Sequence, residues 1–230
     1  MSNSLIVGND LWKLKRSSSE SMWDDLEIGF DKSKYAEYYD DFFNYVAGDW
    51  TVTETGSGSR AIQDAVSGVL LVTNANGASD LNNLQKVGEA FLPAAGKKIW
   101  YESRFYIGDV SSSTVIMGLS VTDTSLGASA PANGIYFSNT ADSALAFTSR
   151  ASSVSSSESG LLTTADSIYV KVGFKVIGTG LVEYWVNDVK QGSITTNIPA
   201  TELRVSFCVN NGTTAAETLG IDYIRAIQER

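Results

Sequence analysis

Ile168-Tyr-Val-Lys-Val-Gly-Phe-Lys-Val-Ile177, then Gly178-Thr-Gly180, then Leu181-Val-Glu-Tyr-Trp-Val-Asn-Asp-Val-Lys-Gln-Gly192 carries the clearest structural pattern in the chain. Ile168, Val170, Val172, Phe174 and Val176 fall on one face of a period-two ribbon, and Tyr169, Lys171, Gly173 and Lys175 fall on the other. That alternation describes a half-buried strand. Gly178 and Gly180 supply a break that accepts positive φ, and the β-rich run after it ends at a second turn signal, Asn187-Asp188. The stretch therefore predicts two antiparallel strands and the start of a third. Such a meander has to press its apolar face on a second sheet, because an isolated hairpin is marginal in water.

Outward from this meander, the same pattern recurs from Trp50 onward. Strands are predicted over 50–55, 68–74, 98–107, 113–122, 134–137, 144–148, 203–210 and 219–227, joined by Gly, Asn, Asp and Ser connectors. Leu203, Val205, Phe207 and Val209 alternate with Arg204, Ser206, Cys208 and Asn210, which assigns Cys208 to the less apolar face. The serine-rich run Ala151–Gly160 reads as a surface connector and Asn210-Asn-Gly212 as a tight turn. Without strand-helix-strand alternation a doubly wound fold is excluded. The fold class predicted is all-β: an antiparallel jelly-roll β-sandwich spanning 39–230, preceded by an irregular N-terminal arm, 1–38.

In the arm, three apolar clusters (Leu5-Ile6-Val7, Leu11-Trp12 and Met22-Trp23) stand between polar runs, with no sustained period. Burying such residues stabilises by roughly 1.5 to 3 kcal/mol each, so these seven are the candidate partner-binding residues, either on the chain's own body or on a neighbour. Tyr35, Tyr38, Tyr39, Phe42 and Phe43 recur at a spacing that suits a turn or two of helix or an extended edge. Residues 1–50 carry 5 basic and 10 acidic side chains of the 17 and 26 in the chain, so over half of the net charge of -9 lies in the first fifth of the sequence. Net negative charge argues against a direct nucleic-acid partner. No window reaches the ~20 apolar residues of a membrane span, and 1–8 is too short for a leader's apolar core, so neither membrane nor secretory path is expected.

Cys208 is the single cysteine and there is no histidine, which removes disulfides, cysteine metal clusters and the usual general base. No cofactor and no metal are expected. A glycosidase on this architecture needs two carboxylates about 5 to 9.5 Å apart. Glu102, Glu183 and Asp222 are the strand candidates, none in a local carboxylate cluster, and the sequence therefore predicts a protein that is not an enzyme. Glu102 and Arg104 share a face and are expected in cross-strand ion pairing. Asp123, Asn139, Asp142 and Asn187-Asp188 read as turn formers before calcium ligands, Asn211-Gly-Thr213 as a turn before a glycosylation site, and Trp100 and Trp185 as core or interface residues before sugar platforms.

Several segments taken together resemble a known family: Tyr39-Asp-Asp-Phe-Phe-Asn44 with Asp49-Trp-Thr-Val-Thr53, Lys98-Ile-Trp-Tyr-Glu-Ser-Arg-Phe105, Asn133-Gly-Ile-Tyr-Phe137, Val172-Gly-Phe-Lys175 with Tyr184-Trp-Val-Asn-Asp188, and Leu219-Gly-Ile-Asp-Tyr-Ile-Arg-Ala-Ile-Gln-Glu-Arg230. In order and spacing they are similar to the concanavalin A-like (laminin G-like) jelly rolls of tailed-phage virion proteins, particularly of marine and cyanobacterial phages. That resemblance implies a capsid decoration or cement protein, made in the host cytoplasm and bound as a dimer or trimer to the major capsid protein on the virion surface. The alternative is a carbohydrate-binding module with a glycan ligand. The carboxylate cluster of the family's glycosidase branch and the paired Asp/Asn metal loop of its lectin branch are not recognisable here.

Overall fold

Alternation of apolar and polar side chains carries most of the described chain into extended structure, because each such ribbon presents one face that water disfavours. The structure, a computed structural model, describes residues 21–26 and 31–230. In chain order the strands are β1 (Tyr35–Asp40), β2 (Trp50–Thr55), β3 (Ser59–Gln63), β4 (Val69–Thr73), β5 (Leu81–Lys86), β6 (Lys98–Ile107), β7 (Ser113–Ser120) and β8 (Gly134–Asn139). They continue as β9 (Leu145–Ala151), β10 (Val154–Leu162), β11 (Val170–Ile177), β12 (Leu181–Val186), β13 (Val189–Ile194), β14 (Arg204–Asn211) and β15 (Thr218–Glu229). Among the described residues no helix is long and apolar enough to cross a membrane.

Two antiparallel sheets result. Sheet A runs β13-β12-β11-β6-β15-β4-β3, and sheet B runs β10-β9-β8-β7-β14-β5-β2. On the side away from β6 the long β15 serves two neighbours: Thr218–Ile221 pairs with β4, while Ile224–Glu229 pairs with β1. The β11-β12-β13 meander predicted from the sequence forms one flank of sheet A, and its second turn is a two-residue hairpin with Asn187 and Asp188 both at positive φ, 49° and 64°.

Between the sheets lie Ile99, Tyr101 and Phe105 of β6, Val170, Val172, Phe174 and Val176 of β11, and, from sheet B, Met117, Phe137, Phe147, Val205 and Phe207, all essentially solvent-free. Phe174 stacks on Tyr101 at 4.9 Å within sheet A and meets Phe147 of sheet B at 5.8 Å, while Phe147 stacks on Tyr184 at 4.4 Å. These rings stitch the layers together. The jelly-roll sandwich expected from the sequence is thus the observed architecture.

Several local expectations are corrected. Ile168 is 60% exposed, because the chain turns at Ser167 (φ 57°) and the strand begins only at Val170. The run read as a connector, 151–160, mostly belongs to the edge strand β10, which pairs with β9 from Val154↔Ala151 to Glu158↔Phe147. An edge strand needs few apolar residues, so its serines concealed it. Of the two readings of the aromatic stretch from Tyr35, the extended edge holds: Tyr35–Asp40 is a strand pairing with β15, which places 35–38 of the expected arm in sheet A. The strand β5 went unread because Asn82, Asn83 and Gln85 are polar yet buried. Asn82 Nδ2 donates to Asn74 Oδ1 at 2.7 Å, and Gln85 Nε2 to the hydroxyls of Ser120 and Ser206 at 3.1 and 3.0 Å. Asn211 is likewise buried, with its side-chain amide nitrogen 2.7 to 3.0 Å from the carbonyl oxygens of Ala75, Gly77 and Ala215, in keeping with its reading as a turn residue before a glycosylation site.

Cys208 does lie on the outer face of sheet B, but the chain between β7 and β8 folds over that face and packs Leu126 against Leu81, Ile116, Tyr136 and Cys208. Burial pushes the Cys208 thiol up to about 12, so it stays protonated. A thiol-specific disulfide reagent is expected to find no reactive thiol in the native protein and one after unfolding. Replacing Phe174 by Ala is expected to cost about 3 to 5 kcal/mol, read from denaturant unfolding, because it empties the centre of the inter-sheet ring stack.

Candidate functional site

The same alternation that sends Tyr101, Phe174 and Tyr184 inward sends a second set of side chains to the outer face of sheet A. Two cross-strand rows result. Glu102, Gly173 and Trp185 stand opposite one another on β6, β11 and β12, and Trp100, Lys175 and Glu183 form the neighbouring row. On the other flank β15 adds Tyr223, Arg225 and Ile227, with Tyr223 opposite Arg104 and Arg225 opposite Glu102.

Over this face lies Ser21–Leu26, a tight double turn closed by Asp24 N–H donating to the Ser21 carbonyl and Leu26 N–H to that of Trp23. We call it the strap. Met22 is buried in a cluster with Tyr35, Trp100, Trp185 and Ile227, and its carbonyl accepts the Trp100 indole N–H at 3.1 Å. Trp23 donates its indole N–H to Glu102 Oε2 at 3.2 Å, and the Arg225 guanidinium covers its ring at 4.9 Å. Asp25 pairs with both Lys98 and Lys175 at 3.2 Å. Of the seven arm residues proposed as anchors, Met22 and Trp23 are therefore seated on the chain's own sheet, whereas Leu5, Ile6, Val7, Leu11 and Trp12 lie outside the described residues.

Strap and sheet border an open cleft of about 440 Å³, with Trp23 and Asp24 on the strap side and Glu102, Lys171, Trp185 and Asp188 on the sheet side. Lys171 and Asp188 neutralise each other in an ion pair. Glu102 instead has two neutral donors, since Oε1 accepts the Tyr223 hydroxyl at 2.7 Å and Oε2 the Trp23 indole. Burial and the adjacent Glu102 charge push the Tyr223 phenol well above its ordinary range, which keeps it a hydrogen-bond donor. Beyond Tyr223 the face continues as a run of rings and charges: Tyr39 lies 6.4 Å from Tyr223, and Arg104 stacks on Tyr169 at 4.0 Å while pairing with Asp222.

The three candidate carboxylates are thus separated in role. Glu183 is held between Lys190 at 2.6 Å and Lys175 at 3.1 Å. Burial alone raises its pKa, but the two ammonium groups outweigh burial and keep it below the ordinary carboxylate range. Glu102 and Glu183 stand two strands and two residues apart, about 12 Å between backbones, with Lys175 between them. The expected ion pairing holds for Arg104, through Asp222. The partners of Glu102 are corrected to Tyr223 and Trp23, because the bulge between Ile221 and Tyr223 turns the phenol toward β6. Trp100 and Trp185 are in neither the inter-sheet core nor free solvent but beneath the strap. Among the described residues no group of three His, Cys, Asp or Glu side chains is placed to hold a metal ion.

No protein-family model matches the sequence, and no curated protein is similar to it. Solved structures are similar in fold. The endo-1,3-β-glucanase of Streptomyces sioyaensis superposes with a TM-score of 0.63 at 13% identity, over 88% of this chain and 99% of that one. The endo-β-1,4-glucuronan lyase of Trichoderma reesei gives 0.57 at 13% identity, over 82% and 94%. Peanut lectin gives 0.56 at 9% identity, over 85% and 97%. This chain has the concanavalin A-like jelly-roll fold. The expectation of a protein that is not an enzyme is corrected by these comparisons, since the fold is that of a glucanase and a lyase over more than four-fifths of the chain. That expectation leaned on the lack of a local carboxylate cluster, but in a sandwich catalytic groups converge from strands distant in sequence, which no local motif records.

Asp25 gives the strap a pH signature. Burial works to raise its pKa, yet Lys175 and Lys98 outweigh burial and hold the carboxyl below its ordinary value of 3.8. A depressed carboxylate stabilises above its unfolded pKa and loses that contribution as pH falls through the folded one. Glu183, sharing Lys175, acts in the same direction. The strap is therefore expected to stay seated from neutral pH down to the ordinary carboxylate range and to loosen below it, read by acrylamide quenching of tryptophan fluorescence. In Asp25→Asn the Asp25-dependent part of that transition should vanish, and the strap should be looser at neutral pH.

Proposed function

We propose that this chain is a carbohydrate-recognising β-sandwich whose binding face is the outer surface of sheet A. The observation that carries the reading is the cleft walled by Trp23 and by the Glu102 carboxylate, with the buried Trp185 at its base, on the face that also carries the Tyr39-Tyr223 and Tyr169-Arg104 contacts. Flat rings offer the faces on which pyranose C–H groups pack, and planar polar groups alongside give hydroxyls directional partners. Peanut lectin and the glucanases support the reading to the extent that this fold accommodates carbohydrate chemistry.

Isothermal titration with oligosaccharides of β-glucan, alginate and bacterial surface polysaccharides tests the proposal. Saturable binding is expected to at least one class, weakened about tenfold or more, or about 1.4 kcal/mol, in Trp23→Ala and in Glu102→Gln. A folded protein that binds none of the panel overturns it. The same mixtures are assayed for chain cleavage, with Glu102→Gln as the comparison, so that turnover at this face registers separately from binding.

A second reading, a capsid decoration protein bound to the major capsid protein, draws on Tyr39, on this face, and Phe43, just beyond β1, which are 55% and 70% exposed. Patches rich in aromatic and arginine side chains are where protein interfaces concentrate their binding energy. Co-sedimentation with capsids lacking the protein tests it, and Tyr39→Ala with Phe43→Ala should abolish the pelleting.

A further inference from the structure

The strap and the sheet meet at a hole. Gly173 stands in the middle of β11 with ordinary extended backbone, so its lack of a side chain is not required by φ. A glycine inside a strand weakens it and commonly marks close approach by another part of the molecule. Here the nearest approaching group is Met22: a Cβ added at Gly173 would lie 2.8 Å from the Met22 sulfur and 3.0 Å from both its terminal methyl and the Tyr101 carbonyl oxygen. Met22 fills the space between Trp100 and Trp185, and its own carbonyl is fixed by the Trp100 indole. The next residue in the chain is Trp23, whose ring forms the strap side of the cavity and whose N–H meets Glu102.

We infer that Met22 is a positioning residue of the binding face: seated in the hole at Gly173, it holds Trp23 over Glu102, so that the cavity is a binding site only while the strap is docked. The inference rests on the reading of this face as a glycan-binding one, and it adds that strap docking and ligand binding are linked equilibria. Seating Met22 places Trp23 because the two are covalent neighbours in a closed turn. Unseating it withdraws Trp23 from Glu102 and removes the strap side of the cleft. A ligand that contacts both walls binds the docked form more tightly and so favours docking, and weakened docking lowers its apparent affinity by the fraction undocked. The Asp25 pairs with Lys98 and Lys175 act in parallel with the plug, which makes the affinity salt-sensitive even for an uncharged sugar.

The test uses the full chain with Gly173→Ala, Met22→Ala, and the double variant. Hydrogen exchange of the 21–26 amides needs no ligand. Gly173→Ala is expected to evict Met22 and speed their exchange about tenfold or more, with the amides of β7 and β14 unchanged. Met22→Ala removes the plug itself and is expected to quicken the same amides, and the double variant should be no faster than the faster single variant, because each change empties the same seat. Binding of the oligosaccharide found by the panel should fall in step with the loss of strap protection. Unchanged exchange in Met22→Ala overturns the positioning role of Met22. Exchange that quickens while affinity holds shows that the strap is no part of the site and also overturns the inference. Failure of the unmodified chain to bind any of the panel counts instead against the glycan reading, and the exchange data then decide the seat of Met22 by themselves.

Discussion

Everything in this molecule depends on burying the inner faces of two sheets against one another. Neither sheet survives alone in water, since each exposes a continuous row of Val, Ile, Leu and Phe on one side. The ring contacts of Phe174, Tyr101, Phe147 and Tyr184 lie where the layers meet, and they span both. Because strand side chains alternate strictly, fixing which residues face inward also fixes which face outward. The outer face of sheet A is in this sense a by-product of the core: once Tyr101 and Val172 are buried, Glu102 and Gly173 must point away from it.

Neither outer face is left as a bare sheet. The segment between β7 and β8 lays Leu126 on sheet B, and the strap lays Met22 on sheet A. The two coverings differ in chemistry. That over sheet B is fastened by buried amides of Asn83 and Gln85 to main-chain carbonyls at 2.6 and 2.9 Å, with Cys208 and Leu126 beneath. Among the described residues, that over sheet A is fastened by one plugged side chain, two indole hydrogen bonds and a surface ion-pair cluster, and it leaves a cleft. Ion pairs that retain solvent contact contribute little each, and a moderately held wall is what linkage between docking and binding requires.

Charge is distributed on the face so that most groups already have a partner. Glu183 serves Lys175 and Lys190, Asp222 serves Arg104, Asp188 serves Lys171 and Glu37 serves Arg225. Glu102 differs in resting on neutral donors, a phenol and an indole. A carboxylate so placed keeps lone pairs for the hydroxyls of a ligand without first breaking an ion pair, which is why the cavity wall and not the lysine cluster is the chemically available part of the surface.

The sequence by itself determined the period-two strands, the β11-β12-β13 meander with its Asn187-Asp188 hairpin, and the sandwich they demand, because alternation and turn chemistry are local properties that a short window contains. It also marked Met22 and Trp23 as anchors and Glu102 as a strand carboxylate. It concealed β5 and β10, whose Asn, Gln and Ser residues look like loop until neighbouring strands supply their hydrogen bonds. Only the tertiary structure decided that Glu102 faces Trp23 and Tyr223, 79 and 121 residues away, and that Gly173 is a receptacle. Those facts follow from strand order and from where a non-repeating segment comes to rest. Both are set by the sum of long-range packing, of which no single stretch of sequence carries a record.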